Sequence, residues 1–98
     1  MRFCFKNKRL EAVYTGEKGA HKYPPGVVDA FCEVMSIISA AVDERDLYSL
    51  KGLRYEKLKG DRKGQHSIRL NDQFRLIVER EKDNQGRYLL IIDIEDYH

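Results

Sequence analysis

Glu56-Lys57-Leu58-Lys59-Gly60-Asp61-Arg62-Lys63-Gly64-Gln65-His66-Ser67-Ile68-Arg69-Leu70-Asn71-Asp72-Gln73-Phe74-Arg75-Leu76-Ile77-Val78 reads as strand, basic loop, strand, tight turn, strand. Gln65 to Leu70 alternates, with His66, Ile68 and Leu70 on one face. Asn71-Asp72 between two such runs is a short hairpin signal. From Phe74 onward the alternation resumes, with Phe74, Leu76 and Val78 on one face and Arg75, Ile77 and Glu79 on the other. Two glycines and a central Asp mark the loop Lys59–Gly64 as a turn. From Lys51 to Arg69 seven basic residues stand against two acids, while the rest of the chain has a balance of −3. The whole-chain charge of +2 therefore hides one basic patch, an electrostatic footprint for phosphate.

Working outward, Arg54 to Leu58 is expected to be the strand that leads into this loop. Asp43 to Leu50 reads as a connector with a short helical turn carrying Leu47 and Leu50. Before it, Val27, Val28, Phe31, Val34, Met35, Ile38, Ala41 and Val42 form an apolar stripe, so the main helix should lie across the sheet. Pro24-Pro25 suits the first turn of that helix. Asn7 caps an earlier helix with Leu10, Val13 and Tyr14 on one face, and Gly16 stops it. Glu17 to Tyr23 reads as a loop, its His21 a surface residue. Arg2 to Lys6 alternates as a strand with Phe3 and Phe5 facing inward. After a second hairpin loop at Asp83–Gly86, the nearly continuous apolar run Tyr88 to Ile94 predicts a central strand covered on both faces. The order implies an α+β fold, with two N-terminal helices packed on a small, mostly antiparallel β-sheet.

Ninety-eight residues suit one domain, residues 1–98, with a single core. No apolar run approaches a membrane span, and the N-terminus lacks a signal-peptide apolar region, which points to a cytoplasmic protein with no membrane partner. Cys4 and Cys32 lack CxxC spacing and sit in apolar settings, so both read as buried thiols rather than a disulfide or metal site. No metal and no cofactor is expected.

Several residues stand out chemically. A mid-strand arginine such as Arg75 must reach an anion or water; either a phosphate or an acid such as Asp93 or Glu95 on the neighbouring strand would serve. Lys57 and Lys59 flank Leu58 on one side, as phosphate contacts or as a solvated rim. At the chain end, His98 titrates near neutrality, Tyr97 can stack on a base or donate its hydroxyl, and Asp96 can orient the imidazole or accept a proton; a frayed tail is the plainer reading.

Leu58-Lys59-Gly60-Asp61-Arg62, Ser67-Ile68-Arg69, Phe74-Arg75-Leu76 and the terminal Glu95-Asp96-Tyr97-His98 together resemble a HigB-type toxin of the RelE/ParE superfamily of toxin–antitoxin systems. The likeness covers nearly the whole chain and keeps element order. It implies a RelE-like fold and a ribosome-dependent, metal-independent endoribonuclease that cuts translated mRNA. The catalytic candidates on this reading are Arg75, Asp96, Tyr97, His98 and Glu56, and the RNA-binding candidates are Lys57, Lys59, Arg62 and Gln73. The implied partners are a HigA-like helix-turn-helix antitoxin, the ribosome with mRNA, and operator DNA through the antitoxin complex. Some members carry a histidine two residues before the leucine of this motif, where this chain has Glu56; His66 is a possible substitute, although its face is that of Ile68 and Leu70. A ParE-like inhibitor of DNA gyrase and an RNA-binding relative without catalysis are the alternatives, since one fold hosts several functions.

Overall fold

The computed structural model describes residues 1–62 and 64–96. Phe3–Phe5 form β1, Lys8–Thr15 α1, Val27–Ala40 α2, Glu44–Ser49 α3, Glu56–Lys57 β2, Gln65–Arg69 β3, Phe74–Asp83 β4 and Gly86–Asp96 β5. Single 3₁₀ turns lie at Ala20–Lys22 and Lys51–Leu53. The strands make one five-stranded sheet in the order β1-β5-β4-β3-β2. All neighbours are antiparallel except β1 and β5, which run parallel because α1, α2 and the later strands separate them in the chain.

The first helix begins as its sequence dictates. The Asn7 side chain accepts a hydrogen bond from the Leu10 amide at 2.9 Å, and its amide nitrogen donates to the Ile92 carbonyl at 3.2 Å, tying the helix start to β5. Gly16 ends it in the left-handed region (φ 81°), where its amide can reach back to the carbonyls of Ala12 and Val13. Pro24 and Pro25 lie before α2 rather than in its first turn. Gly26, in the left-handed region, is its N-cap, and the Val27 amide closes a turn on the Pro24 carbonyl.

The core is one layer of helix side chains on one face of the sheet. Leu10 and Val13 of α1, Val27, Phe31, Val34, Met35 and Ile38 of α2, and Leu47 of α3 meet Ile68, Leu76, Val78, Leu89, Ile91 and Ile94. Phe31 is fully buried and stands edge-on to Phe5 and Tyr14, which join α1, α2 and β1. Burying a side chain of this kind contributes about 1.5–3 kcal/mol.

Five further expectations are corrected here. Val42 is 82% exposed, because α2 ends at Ala40 and the chain turns at Ala41 before the stripe is complete. Leu50 is also exposed, having passed the end of α3. β2 shrinks to Glu56–Lys57, because Arg54 sits in the left-handed region (φ 46°) at the end of a 3₁₀ turn and cannot extend a ladder. β5 is covered on one face only: Leu89, Ile91 and Ile94 are buried, while Leu90 and Ile92 stay partly exposed on a sheet whose helices all pack against the other face. A register shift at Ile77/Val78 opposite Ile91–Asp93 lets Ile94 return to the core side. Both cysteines are free; Cys4 is exposed and Cys32 partly so, since Cys4 alternates to the outer side of β1, away from Phe3 and Phe5.

Candidate nucleic-acid interface

The face of the sheet turned away from the helices carries the charged residues that the alternation assigned to it. One line across the strands runs Glu56, Ser67, Ile77, Asp93, and the next runs Arg69, Arg75, Glu95. Residues opposed in such ladders have Cβ atoms about 4.5–5.5 Å apart, so these side chains share one surface. Ser67 and Ile77 are buried on this face. Arg75 Nη1 donates to Ser67 Oγ at 3.3 Å.

Arg69 and Arg75 stand directly opposite one another on β3 and β4. Like charges in that relation repel, and an anion between or beside them relieves the cost. Arg69 is partly answered by an ion pair with Asp72 in the hairpin turn. Two acids of this face pair with other arginines as well: Asp93 lies 3.5 Å from Arg9 Nη2, and Glu95 accepts from Arg62 through both oxygens, at 3.0 and 2.7 Å. Arg62 also donates to Gln65 Oε1 at 3.2 Å. An arginine of the β2–β3 loop thus reaches the end of β5 across the two strands that lie between.

The remaining candidates are placed differently. Glu56 is in register with Ser67 and so belongs to the Arg75 face. Lys57 is in register with His66, on the helix side, and therefore is separated from Arg75; the alternation that pairs it with Lys59 ends with β2. Lys59 is exposed in the turn that follows. Asp96 follows Glu95 and so alternates to the line of Phe74, where its Oδ2 accepts from Gln73 Nε2 at 3.2 Å. Tyr97 and His98, and Lys63 of the basic loop, lie outside the described residues.

His66 is 1% exposed and points into the helix side. Its ring stacks on Tyr55 at 4.6 Å between centroids, and its Nε2 lies 3.2 Å from the Tyr48 hydroxyl. The Tyr55 hydroxyl donates to Glu44 Oε2 at 2.8 Å, and Arg80 pairs with Glu44 at 3.0 Å. Burial, reinforced by the Arg80 charge, holds the His66 imidazole below its usual pKa, while Glu44 opposes that shift. Burial, the Glu44 hydrogen bond and the Glu44 charge push the Tyr55 phenol up. This cluster ties α3 to the sheet and stands on the opposite face from Arg75, so His66 does not substitute for a histidine at position 56. Among the described residues no group of three histidine, cysteine or acidic side chains is arranged to hold a metal ion.

Residue-by-residue reading missed Arg69 and Ser67 as members of this surface, and named Glu95 only as an acid facing Arg75, not as the partner of Arg62. Arg69 carried the detectable signal: it lies as far before Asp72 as Arg75 lies after it, so a hairpin centred there must oppose the two arginines.

The family model for the RelE-like toxin HigB of type II toxin–antitoxin systems matches residues 3–97. The chain belongs to the HigB-like toxin family. It is 40% identical over 75 residues to Toxin HigB-1 of Vibrio cholerae serotype O1 (strain ATCC 39315 / El Tor Inaba N16961), covering 76% of this chain and 79% of that one. The fold is similar to a YoeB/ParE toxin from Agrobacterium tumefaciens, with a TM-score of 0.59 at 14% identity over the full length of both chains. It is also similar to a chain of a YoeB-YefM complex from Staphylococcus aureus, with a TM-score of 0.56 at 21% identity, covering 100% of this chain and 97% of that one. This HigB-like protein is thus the toxin of a type II toxin–antitoxin system, one half of a pair whose other half is an antitoxin. None of its described helices is long and apolar enough to cross a membrane.

Proposed function

We propose that this HigB-like toxin is a ribosome-dependent endoribonuclease that cleaves translated mRNA and so inhibits protein synthesis. The observation that carries the reading is the Arg69–Arg75 opposition on the helix-free face, two guanidinium groups on rigid neighbouring strands in a family of toxins. Guanidinium presents planar, forked donors suited to phosphate oxygens, and strands place them more firmly than loops do.

Cleavage by this route needs no metal. The ribose 2′-oxygen attacks the adjacent phosphorus, its proton passes to a base, and the bond from phosphorus to the 5′-oxygen breaks. The 5′-oxygen takes a proton from an acid, leaving a 2′,3′-cyclic phosphate and a 5′-hydroxyl. Arg75, with Arg69 opposite, stabilises charge on the phosphate. Glu56 on the same face is one base of the set, and Asp96, Tyr97 and His98 are the proton-transfer groups at the chain end. Lys59 and Gln73 line the surroundings of the RNA. The partners of the reading are the ribosome with its mRNA, a HigA-like helix-turn-helix antitoxin, and operator DNA reached through the antitoxin complex. It places the protein in the cytoplasm, as a single domain over residues 1–98.

The test compares translating ribosomes with naked RNA of the same sequence, using toxin freed of metal by chelator and then of chelator. Cuts within translated codons, with naked RNA largely intact, are expected. Equal cleavage of both substrates would remove the ribosome from the reading. Intact transcripts with DNA breaks in cells expressing the toxin would replace it with gyrase inhibition.

A further inference from the structure

The contact that spans the candidate site is the forked bridge between Arg62 and Glu95. We propose that it is a positioning device for the cleavage reaction, with Glu95 and Arg62 as positioning residues; the inference rests on the nuclease reading above. The bridge joins two segments far apart in sequence, the β2–β3 loop and the last residues of β5, across β3 and β4. Arg75 is in register with the Glu95 end of the bridge, directly opposite it on β4.

Three features make this more than a surface ion pair. Isolated exposed pairs contribute little, but a bidentate fork fixes direction as well as distance. Arg62 is itself held, since its Nε donates to Gln65 Oε1 on β3. The end of β5 is gripped a second time, one residue on, where Asp96 accepts from Gln73 of the β3–β4 turn. Glu95 and Asp96 alternate to opposite sides of the strand, so the two contacts hold the strand end from both sides. Arg75 stands directly opposite Glu95 on β4, so the strand end that is pinned at both faces is the one against which this guanidinium is set. Reacting groups must be placed closely, and a displacement of about 1 Å costs about 100-fold in rate.

The geometry also makes an alternative role for Arg62 distinguishable. If Arg62 served only to grip RNA, Glu95 would compete with phosphate, and removing its charge would tighten binding. If the bridge positions the strand end, removing that charge slows the chemical step and leaves binding alone.

The experiment measures kcat and KM for cleavage of mRNA on translating ribosomes by wild type, Glu95→Gln, Arg62→Lys, Arg62→Glu and the exchanged pair Arg62→Glu/Glu95→Arg, with thermal melts on each. Glu95→Gln is expected to lower kcat by about 10- to 100-fold with KM within about twofold of wild type and the melting temperature nearly unchanged. Arg62→Lys keeps the charge but loses the fork, and is expected to behave likewise. The exchanged pair should recover at least about tenfold of the kcat lost in Arg62→Glu. Wild-type kcat in Glu95→Gln, a lower KM in that variant, or no recovery in the exchanged pair would overturn the inference while leaving the nuclease reading intact. Wild-type protein that fails to cleave at all would instead overturn that reading, and this inference with it.

Discussion

Replacing Arg75 by alanine separates a structural role from a chemical one, because the two predict losses of different size. On the structural side, Arg75 Nη1 donates to the hydroxyl of the buried Ser67. Leaving a buried hydroxyl without such a donor costs about 1–3 kcal/mol. A domain of this size has a stability of about 5–15 kcal/mol, so even the worst combination leaves about 2 kcal/mol and about 97% of the molecules folded. Each kcal/mol lowers the melting temperature by roughly 4–8 °C. On the chemical side, removing one preorganised donor from a developing oxyanion costs about 10²–10³ in rate, or about 2.7–4 kcal/mol of transition-state stabilisation. A hundredfold loss at 25 °C therefore exceeds anything partial unfolding can produce. The assay is single-turnover cleavage on translating ribosomes at 25 °C, with melts and circular dichroism of Arg75→Ala and Arg75→Lys. The expected outcome is a folded Arg75→Ala protein with at least 100-fold slower cleavage, and intermediate activity for Arg75→Lys, which keeps charge but not the fork. Cleavage within a few-fold of wild type would show that Arg75 serves the sheet and not the phosphate.

Two further predictions concern the helix side. The His66 imidazole is held below its usual pKa in the folded protein, so the unfolded chain binds the extra proton; its contribution to stability is complete above about pH 6.5 and is lost as pH falls through the folded value. Urea denaturation between pH 7.5 and 5.5 should show wild type weakening by no more than about 1.4 kcal/mol per pH unit, and His66→Phe, which keeps the stack on Tyr55, should show a flatter profile; parallel profiles would refute this. Phe31→Ala removes a fully buried ring that joins α1, α2 and β1 and should cost about 3–5 kcal/mol, lowering the melting temperature by at least about 12 °C, whereas a shift of only a few degrees would mean that the core around Phe5 and Tyr14 recloses.

Local rules carried much of this molecule. Asn7 and Gly16 bound α1 because capping is settled within four residues of chain. The β3–β4 hairpin and the separation of Arg75 from Leu76 and Val78 follow from period-two alternation, which also moves the turn's centre from the Asn71-Asp72 pair to Asp72 by keeping Ile68 opposite Leu76. Element order and the conjunction of short motifs were enough to mark a HigB-type toxin. Where the chain alone misled, the deciding contact lay far away in sequence. Continuous hydrophobicity in Tyr88–Ile94 pointed to a strand buried on both faces, but only the packing of all three helices on one side shows that Leu90 and Ile92 remain partly open. Lys57 was read with Lys59 because strand alternation across Leu58 puts them on one side, whereas β2 ends at Lys57 and its pairing with β3 gives Lys57 to the side of His66 and Glu56 to that of Ser67.

The composition of the candidate site lay furthest from any local signal. Arg62 and Glu95 are 33 residues apart, and nothing in either neighbourhood specifies the other. A hydrogen bond between such residues depends on the assembled sheet: the loop enters β3 at Gln65, level with Glu79 and Leu90, while Glu95 is level with Arg75 and Arg69, so Arg62 meets it only by reaching along and across the helix-free face. Sequence by itself determined most of the elements, the faces of β3 and β4, and the family, because those are set by side-chain pattern over a few residues. Tertiary structure alone decided which charges meet, because charge pairing requires distances of a few ångströms that only the assembled sheet supplies.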